Sequence, residues 1–256
     1  MHLLKIDDSG ALYDSDEAVD LGQPGGDIVL LTSADTEVAL LAAAVKCCHQ
    51  AGQRLDVRIA NYLSLTHPYS VDLYIQNTIA AARLVVVRLL GGTSYWSYGT
   101  QQLRALAETG TTEIIFLSGD GKPDPELDYL SSASAVECAA LSSYLDSGGS
   151  DNAVAFLQAL QDRLDGTQMA PPPQPLLRAG IYWPDLPVPD LDNLAVHWQE
   201  DAPVVALIFY RALVQASDLA PIDQMIKSCQ AQGLTPLPLF GASLKEAETA
   251  AIIADL

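Results

Sequence analysis

One stretch of the sequence combines residue types that could bind a ligand, the segment RLVVVRLLGGTSYWSYG at residues 83–99. It places Arg88 inside an apolar run. The run then ends in two glycines and three aromatic residues whose rings we expect to be exposed, namely Gly91, Gly92, Tyr95, Trp96 and Tyr98. A guanidinium group pairs well with a carboxylate, either of a ligand or of a neighbouring strand such as the one that contains Asp56.

The elements around this stretch predict where it lies in the fold. Apolar strand patterns at 26–35, 54–61, 84–90 and 112–121 alternate with helical patterns. This alternation is typical of a parallel sheet that helices cover on both faces. We therefore predict an α/β fold with a Rossmann-like first domain. Ligands of such sheets bind beyond the carboxyl ends of the strands, which is where residues 91–98 would lie.

A second α/β unit is predicted after the first. Residues 123–166 read as helices, and the proline-rich segment TQMAPPPQP (167–175) favours an extended connection. Three further strand patterns follow at 178–184, 203–210 and 234–240. We predict a head domain at 1–166, a linker at 167–177 and an incomplete second domain at 178–256. Because three strands make a marginal sheet, we expect the chain to be the front part of a longer polypeptide.

The charge of the chain argues against two classes of partner. Thirteen Lys and Arg residues stand against 32 Asp and Glu residues, which gives a net charge of −19. Such a surface repels phosphate backbones and anionic lipids, so no nucleic-acid or membrane partner is expected. No apolar run is long enough for a membrane span, and the first residues do not resemble a signal peptide. We predict a cytoplasmic protein.

The cysteines and histidines carry no recognisable metal-binding spacing. The eight residues are Cys47, Cys48, Cys138, Cys229, His2, His49, His67 and His197. None forms a C-x-x-C or H-E-x-x-H pattern, so no metal site, disulfide framework or catalytic residue is predicted.

Other candidate motifs have ordinary structural explanations beside the functional ones. No phosphate-binding glycine loop and no G-x-S-x-G elbow is present, so nucleotide binding and serine catalysis are not predicted. The acidic run at 120–128 contains Pro123 and Pro125, which favours a turn entering a helix over a calcium loop. His67 precedes Pro68 at a junction between a strand and a helix, where it could act as an acid, a base or a ligand, or simply brace the turn.

Three ordered blocks of the sequence resemble a known family. The segments at 66–99, 178–184 and 202–248 are similar to the amino-terminal region of the large subunit of ATP-dependent cobaltochelatases of the CobN type. That family is related to the porphyrin-binding H subunit of magnesium chelatase. The departure we note is at Ala216 and Ser217, where a glycine is more usual in the pattern.

The resemblance implies a function for a much larger protein. It implies insertion of cobalt into a corrin ring, hydrogenobyrinic acid a,c-diamide, during cobalamin synthesis, with magnesium as the metal of related enzymes. It also implies AAA+ partner subunits that hydrolyse the ATP, a tetrapyrrole substrate, and regions for macrocycle and metal that lie mostly downstream. We therefore expect no cofactor on these residues, and the isolated chain to be inactive.

Two hypotheses follow for these residues. In the first, they contact or gate the tetrapyrrole through a ligand-binding group that consists of His67, Arg88, Tyr95, Trp96 and Arg211. Aromatic faces and guanidinium groups suit a flat conjugated ring that bears carboxylates. In the second, the chain is a non-catalytic module that docks the AAA+ subunits or supports the full-length protein.

Overall fold

The computed structural model describes residues 17–186, 189–198, 202–245 and 247–254. The contacts between residues divide the chain into two compact units. The first comprises the described residues up to Asp146 together with Val154–Pro171, and the second comprises Ser147–Ala153 and the residues from Pro172 onward. The division falls within the proline-rich segment, and the domain boundaries given above stay a prediction.

The first unit contains a four-stranded parallel sheet in the order β2-β1-β3-β4. Its strands are β1 (Ile28–Thr32), β2 (Val57–Asn61), β3 (Leu84–Leu89) and β4 (Glu113–Ser118). Its helices are α1 (Asp35–Gln50), α2 (Pro68–Tyr74), which a π-helical turn extends, α3 (Ser97–Ala107), α4 (Pro125–Leu130) and α5 (Ala135–Ser147), while α6 (Ser150–Asp165) begins in the second unit. The predicted α/β class is confirmed.

Burial explains why the central strands are apolar except at Thr32 and Arg88 near their carboxyl ends. Every residue of β1 and β3 is buried, because these two strands lie inside the sheet with helices on both faces. The helical periodicity predicts that α1 buries a stripe at positions 38, 41, 42, 45 and 48. The helix instead buries Leu40, Leu41, Ala44 and Cys48, and Ala42 is exposed. The sequence pattern therefore predicts the helix but misses its buried face by part of a turn.

The second unit contains a three-stranded sheet in the order β5-β7-β6. Its elements are β5 (Ala179–Ile181), α7 (Leu191–Ala195), β6 (Val204–Tyr210), α8 (Arg211–Gln215), α9 (Ala220–Ala231), β7 (Thr235–Gly241) and α10 (Ala247–Ala254). Strand β6 is parallel to β7, but β5 is antiparallel to it, which the sequence patterns did not predict. The second α/β unit is confirmed. No described helix is both long and apolar enough to cross a membrane.

The start of the proline-rich segment is bound by a buried carboxylate of the first unit, that of Asp162 on α6. Its oxygens accept hydrogen bonds from the Thr167 hydroxyl and from the backbone N–H groups of Met169 and Ala170, each at 2.7 Å. Burial by itself would raise the pKa of Asp162, but these hydrogen bonds, with one from Gln158, outweigh it and lower the pKa to about 2.

This carboxylate should contribute stability that depends on pH. The pKa of Asp162 is lower in the folded chain than the value of about 4 expected in the unfolded chain, so the ionised carboxylate stabilises the folded state above about pH 4. This stabilisation disappears as the pH falls through about 2. We expect Asp162→Asn to lower the free energy of unfolding by about 2 kcal/mol at pH 7. In urea titrations, this difference from the parent chain should shrink between pH 4 and pH 2. The exposed Asp165→Asn serves as the control and should change little; a pH-independent loss at position 162 would contradict the assignment.

The turn after α8 explains the glycine expected near residue 216. Ser217 has a φ of 53°, in the left-handed region. Its N–H donates to the Val214 carbonyl, and the Asp218 N–H donates to the Leu213 carbonyl. This pair of bonds is a Schellman motif, whose left-handed position favours glycine because a Cβ atom is strained there.

Replacing this residue should therefore stabilise the chain. We expect Ser217→Gly to raise the free energy of unfolding by about 0.5 kcal/mol, since the relief of strain exceeds the entropy that glycine adds to the unfolded chain. Ser217→Ala keeps the Cβ atom and should give no gain. Urea denaturation of both variants tests this; equal effects of glycine and alanine would show that strain is not the cause.

Candidate functional site

The carboxyl ends of the four parallel strands bring polar side chains to one edge of the first sheet. Thr32, Asn61, Arg88 and Ser118 lie at or next to these ends. Strands β2 and β3 lie on opposite sides of β1, so the chain reverses its strand order between β1 and β3. Open α/β sheets bind ligands at such a switch point. In this protein, Thr32 of β1 and Arg88 of β3 are in register there.

An internal ion-pair network around Arg88 occupies the switch point. Arg88 is only 8% exposed. Its guanidinium contacts the Glu37 carboxylate through Nη1 and the Asp146 Oδ1 atom through Nη2 at 2.6 Å. The Thr32 hydroxyl donates to the second oxygen of Glu37 at 2.7 Å. The network therefore joins two strands to α1 and α5, and it provides the Arg88 charge with two carboxylate partners.

One cavity beside this network is too small for a ligand. The cavity that borders Thr32, Glu37 and Arg88 has a volume of about 10 Å³, and apolar residues form the rest of its wall. Burial raises the pKa of Asp146, while the nearby Arg88 charge opposes that rise. Asp56 is not a partner of Arg88: its Oδ1 atom lies 2.7 Å from the Nη1 atom of Arg58. It precedes β2, at the opposite end of the sheet from Arg88.

Trp96 is buried, so the expectation of an exposed ring at this position is wrong. Its ring stacks on Tyr62 with a centroid distance of 5.3 Å, and its Nε1–H donates to the Leu65 carbonyl at 2.9 Å. Gly99 permits this arrangement, because a Cβ atom there would lie 2.2 Å from the indole ring. Trp96 thus packs the loop after β2 against the start of α3.

The other two rings of the motif differ from each other. Tyr95 is 71% exposed. Its ring packs over Gly91, where a Cβ atom would lie 2.3 Å from the Tyr95 ring. Tyr98 is partly buried, and its hydroxyl donates to Asp72 at 2.9 Å. Of the three aromatic residues, Tyr95 is therefore the one that presents its ring to solvent.

The two remaining candidates have backbone contacts. His67 is the N-cap of α2: its Nδ1 atom accepts from the Tyr69 N–H at 3.1 Å, and Pro68 occupies the first helical position. Arg211 begins α8 in the second unit, and its guanidinium donates to the Leu176 and Leu177 carbonyls. The five predicted ligand-binding residues therefore do not belong to one unit, since only Arg211 is in the second.

A cleft at the end of β4 was not predicted from the sequence. Its volume is about 470 Å³, and it lies between α4, α5 and the loop at 119–124. Its wall is mostly apolar, with polar side chains at Ser118, Lys122, Asp124, Asp128, Ser142 and Asp146. Asp146 also belongs to the Arg88 network. The small residues at 135, 139 and 142 of α5, spaced by three or four positions, are the sequence signal for this opening.

The acidic run beside this cleft forms a helix start, as the sequence favoured. The Asp124 carboxylate accepts hydrogen bonds from the N–H groups of Glu126 and Leu127, and Pro125 is the first residue of α4. Across the described parts of the chain, no group of three or more His, Cys, Asp and Glu residues is arranged to hold a metal ion.

The second unit has a larger groove of about 1120 Å³ beside β5 and α8. Its lining includes Leu177, Tyr182, Leu191 and Ser217. The Tyr182 hydroxyl donates to Asp223 at 2.8 Å, and burial together with this bond raises the pKa of the tyrosine. The polar end of this side chain is therefore held by the protein itself.

Comparisons with known proteins agree on one class. Residues 142–255 match the family model described as CobN/Magnesium Chelatase. The aerobic cobaltochelatase subunit CobN of a Sinorhizobium species is 41% identical over 96% of this chain. The subunit of the same name from Pseudomonas aeruginosa is 38% identical over the whole chain. In both cases the chain spans 20% of the relative's length.

A solved structure supports the same relationship. The catalytic subunit of cobaltochelatase from Mycobacterium tuberculosis has a TM-score of 0.65 and 25% identity over 90% of this chain, which covers 17% of that protein. These matches are all to cobaltochelatase subunits or to the CobN/magnesium chelatase family model. They confirm the resemblance to this family that the sequence motifs predicted.

Removing the guanidinium should destabilise the first unit. In Arg88→Met, Glu37 and Asp146 lose the guanidinium that both contact, so we expect a loss of about 3 kcal/mol in the free energy of unfolding at pH 7. The loss should be smaller near pH 4, where protonation relieves the repulsion between the carboxylates. Urea titrations at both pH values measure this.

The exposed pair of Arg104 and Glu108 provides a matched control. The two side chains approach to 3.4 Å on the surface of the first unit. Arg104→Met should change the free energy of unfolding by less than about 0.5 kcal/mol. If Arg88→Met were equally mild, the network would not be the structural element that its geometry indicates.

Proposed function

We propose that this chain is part of the large subunit of an ATP-dependent cobaltochelatase and forms a folded support within it. The single observation that carries the proposal is 41% identity to the Sinorhizobium subunit over 96% of the chain. The complete enzyme would insert cobalt into a corrin ring, hydrogenobyrinic acid a,c-diamide, in the cytoplasm. Separate AAA+ subunits would hydrolyse the ATP.

The supporting role is favoured by how the candidate residues are used. Arg88 forms ion pairs with two carboxylates of its own unit. Trp96 packs on Tyr62, and His67 caps α2. Arg211 donates to two backbone carbonyls. Groups engaged in this way would have to give up internal contacts before they could bind a macrocycle.

A contact with the tetrapyrrole through Tyr95 is the second candidate. Its ring is 71% exposed at the carboxyl edge of the sheet, and Lys122 lines the cleft at the end of β4. An aromatic face and an ammonium group suit a conjugated ring with carboxylate side chains. This candidate predicts that changes at Tyr95 affect the binding of the substrate.

A chimera tests the proposed function. We expect cobalt insertion to persist when this sequence replaces the matching segment of the Sinorhizobium subunit, assayed with its ATPase partners, ATP, cobalt and the corrin substrate. When the chimera also carries Tyr95→Ala, its kcat/KM should change by less than about twofold if the chain is a support. The unaltered Sinorhizobium subunit is the reference.

Two results would contradict these statements separately. A folded chimera that binds its partners but inserts no cobalt would refute the assignment to a cobaltochelatase. A rise of about tenfold in KM for Tyr95→Ala, with kcat unchanged, would favour direct contact with the tetrapyrrole over a supporting role.

A further inference from the structure

The first unit covers both edges of its sheet with its own residues. At the outer edge of β4, the Ile114 N–H donates to the Ser132 hydroxyl and the Phe116 N–H donates to the Ser131 hydroxyl. At β2, the Gln23 side chain donates to the Ile59 carbonyl at 3.0 Å, and the Arg58 guanidinium donates to the Val57 carbonyl at 3.1 Å. Sheet edges that are satisfied in this way resist pairing with other chains.

Strand β6 of the second unit is an edge of a different kind. It is the outermost strand of the β5-β7-β6 sheet, and within the described residues no strand pairs with its other side. Its sequence, VVALIFY, contains no charged residue and no proline. Those are the residues that natural proteins use to protect a free edge, and β6 is seven residues long.

One face of β6 is also apolar and exposed. Val204, Ile208 and Tyr210 are 56%, 48% and 70% exposed. Their in-register partners on β7 are Thr235, Leu239 and Gly241, which are all buried. This face of the sheet is therefore covered at β7 but exposed at β6. Parallel strands are ordinarily covered on both faces.

The pattern indicates what is missing beside β6. A strand that extends a parallel sheet pairs with the free edge, and its crossover helix covers the adjacent face. The curated relatives carry about four-fifths of their length outside the part that this chain spans. Such a polypeptide has ample residues for both elements.

We propose that the outer edge of β6 binds a further parallel β-strand, with a helix over Val204, Ile208 and Tyr210, from the part of the large subunit outside these 256 residues. This inference rests on the proposed function, which assigns the chain to a longer subunit. The occupant is an apolar strand of the kind that forms the centre of α/β sheets. Strand β6 would then be an interior strand of the complete sheet.

A second copy of the chain fits this surface less well. Two β6 edges related by a two-fold axis perpendicular to the sheet would pair antiparallel. Both exposed faces would then remain uncovered on the same side of the joined sheet. Such a dimer would satisfy the edge but would leave the apolar face in water.

Hydrogen exchange measured by mass spectrometry tests the proposal. Peptides that cover β6 are compared between the 256-residue chain at low concentration and the full-length subunit that carries this sequence, without cobalt or tetrapyrrole. We expect exchange in β6 to be about tenfold slower, or more, in the full-length subunit. Peptides from β3, which is interior in both proteins, are the internal reference.

A pair of matched substitutions identifies the surface. Ile208 and Met225 have the same exposed fraction, 48%, and Met225 lies on α9. In the full-length subunit, Ile208→Lys should remove most of the added protection of β6, whereas Met225→Lys should leave it. In the 256-residue chain, neither substitution should change the exchange of β6 by more than about twofold, because both side chains already face water.

Equal exchange of β6 in the two proteins would overturn the proposal. Protection that rises with the concentration of the 256-residue chain would also overturn it, since it would assign the edge to a second copy. The proposed function fails independently of these outcomes: a subunit with a protected β6 that inserts no cobalt would refute the chelatase assignment alone.

Discussion

The first unit depends on one charge, the guanidinium of Arg88 at the point where the strand order reverses. Burying an arginine is unfavourable unless carboxylates neutralise it, and here Glu37 from α1 and Asp146 from α5 both do so. Because their helices arrive from separate parts of the chain, the pairing fixes how α1 and α5 meet β1 and β3. The same pairing occupies the crevice that many α/β proteins use for a ligand. Of the two partners that the sequence leaves open for Arg88, a ligand carboxylate or an internal one, the structure contains internal carboxylates.

The edge strands of the two sheets differ in how they are covered. The first unit covers backbone groups of its outer strands with serine hydroxyls, a glutamine and an arginine. The second presents a seven-residue apolar strand with one exposed face. A chain that spans a fifth of its curated relatives can contain both kinds of unit, one self-contained and one that continues into neighbouring polypeptide.

Hydrophobic periodicity was sufficient to predict the α/β class and the seven strands, because burial on both faces leaves continuous apolar runs such as LVVVRLL. It could not predict that β5 runs antiparallel, since a strand of three residues carries no mark of its direction. The partners of Arg88 lie 51 and 58 residues away, and only the folded chain brings them together. Trp96 was misjudged because its burial depends on the missing side chain of Gly99, which provides space rather than a contact.

The central claim is that Arg88 is a structural counter-ion held by two carboxylates. Nitrogen NMR of its side chain in the 256-residue chain tests this most directly. Two fixed partners hinder rotation of the guanidinium, so the account predicts separate signals for Nη1 and Nη2 that do not move when a tetrapyrrole carboxylate is added. A single averaged signal, or a signal that shifts on addition of the tetrapyrrole, would contradict it.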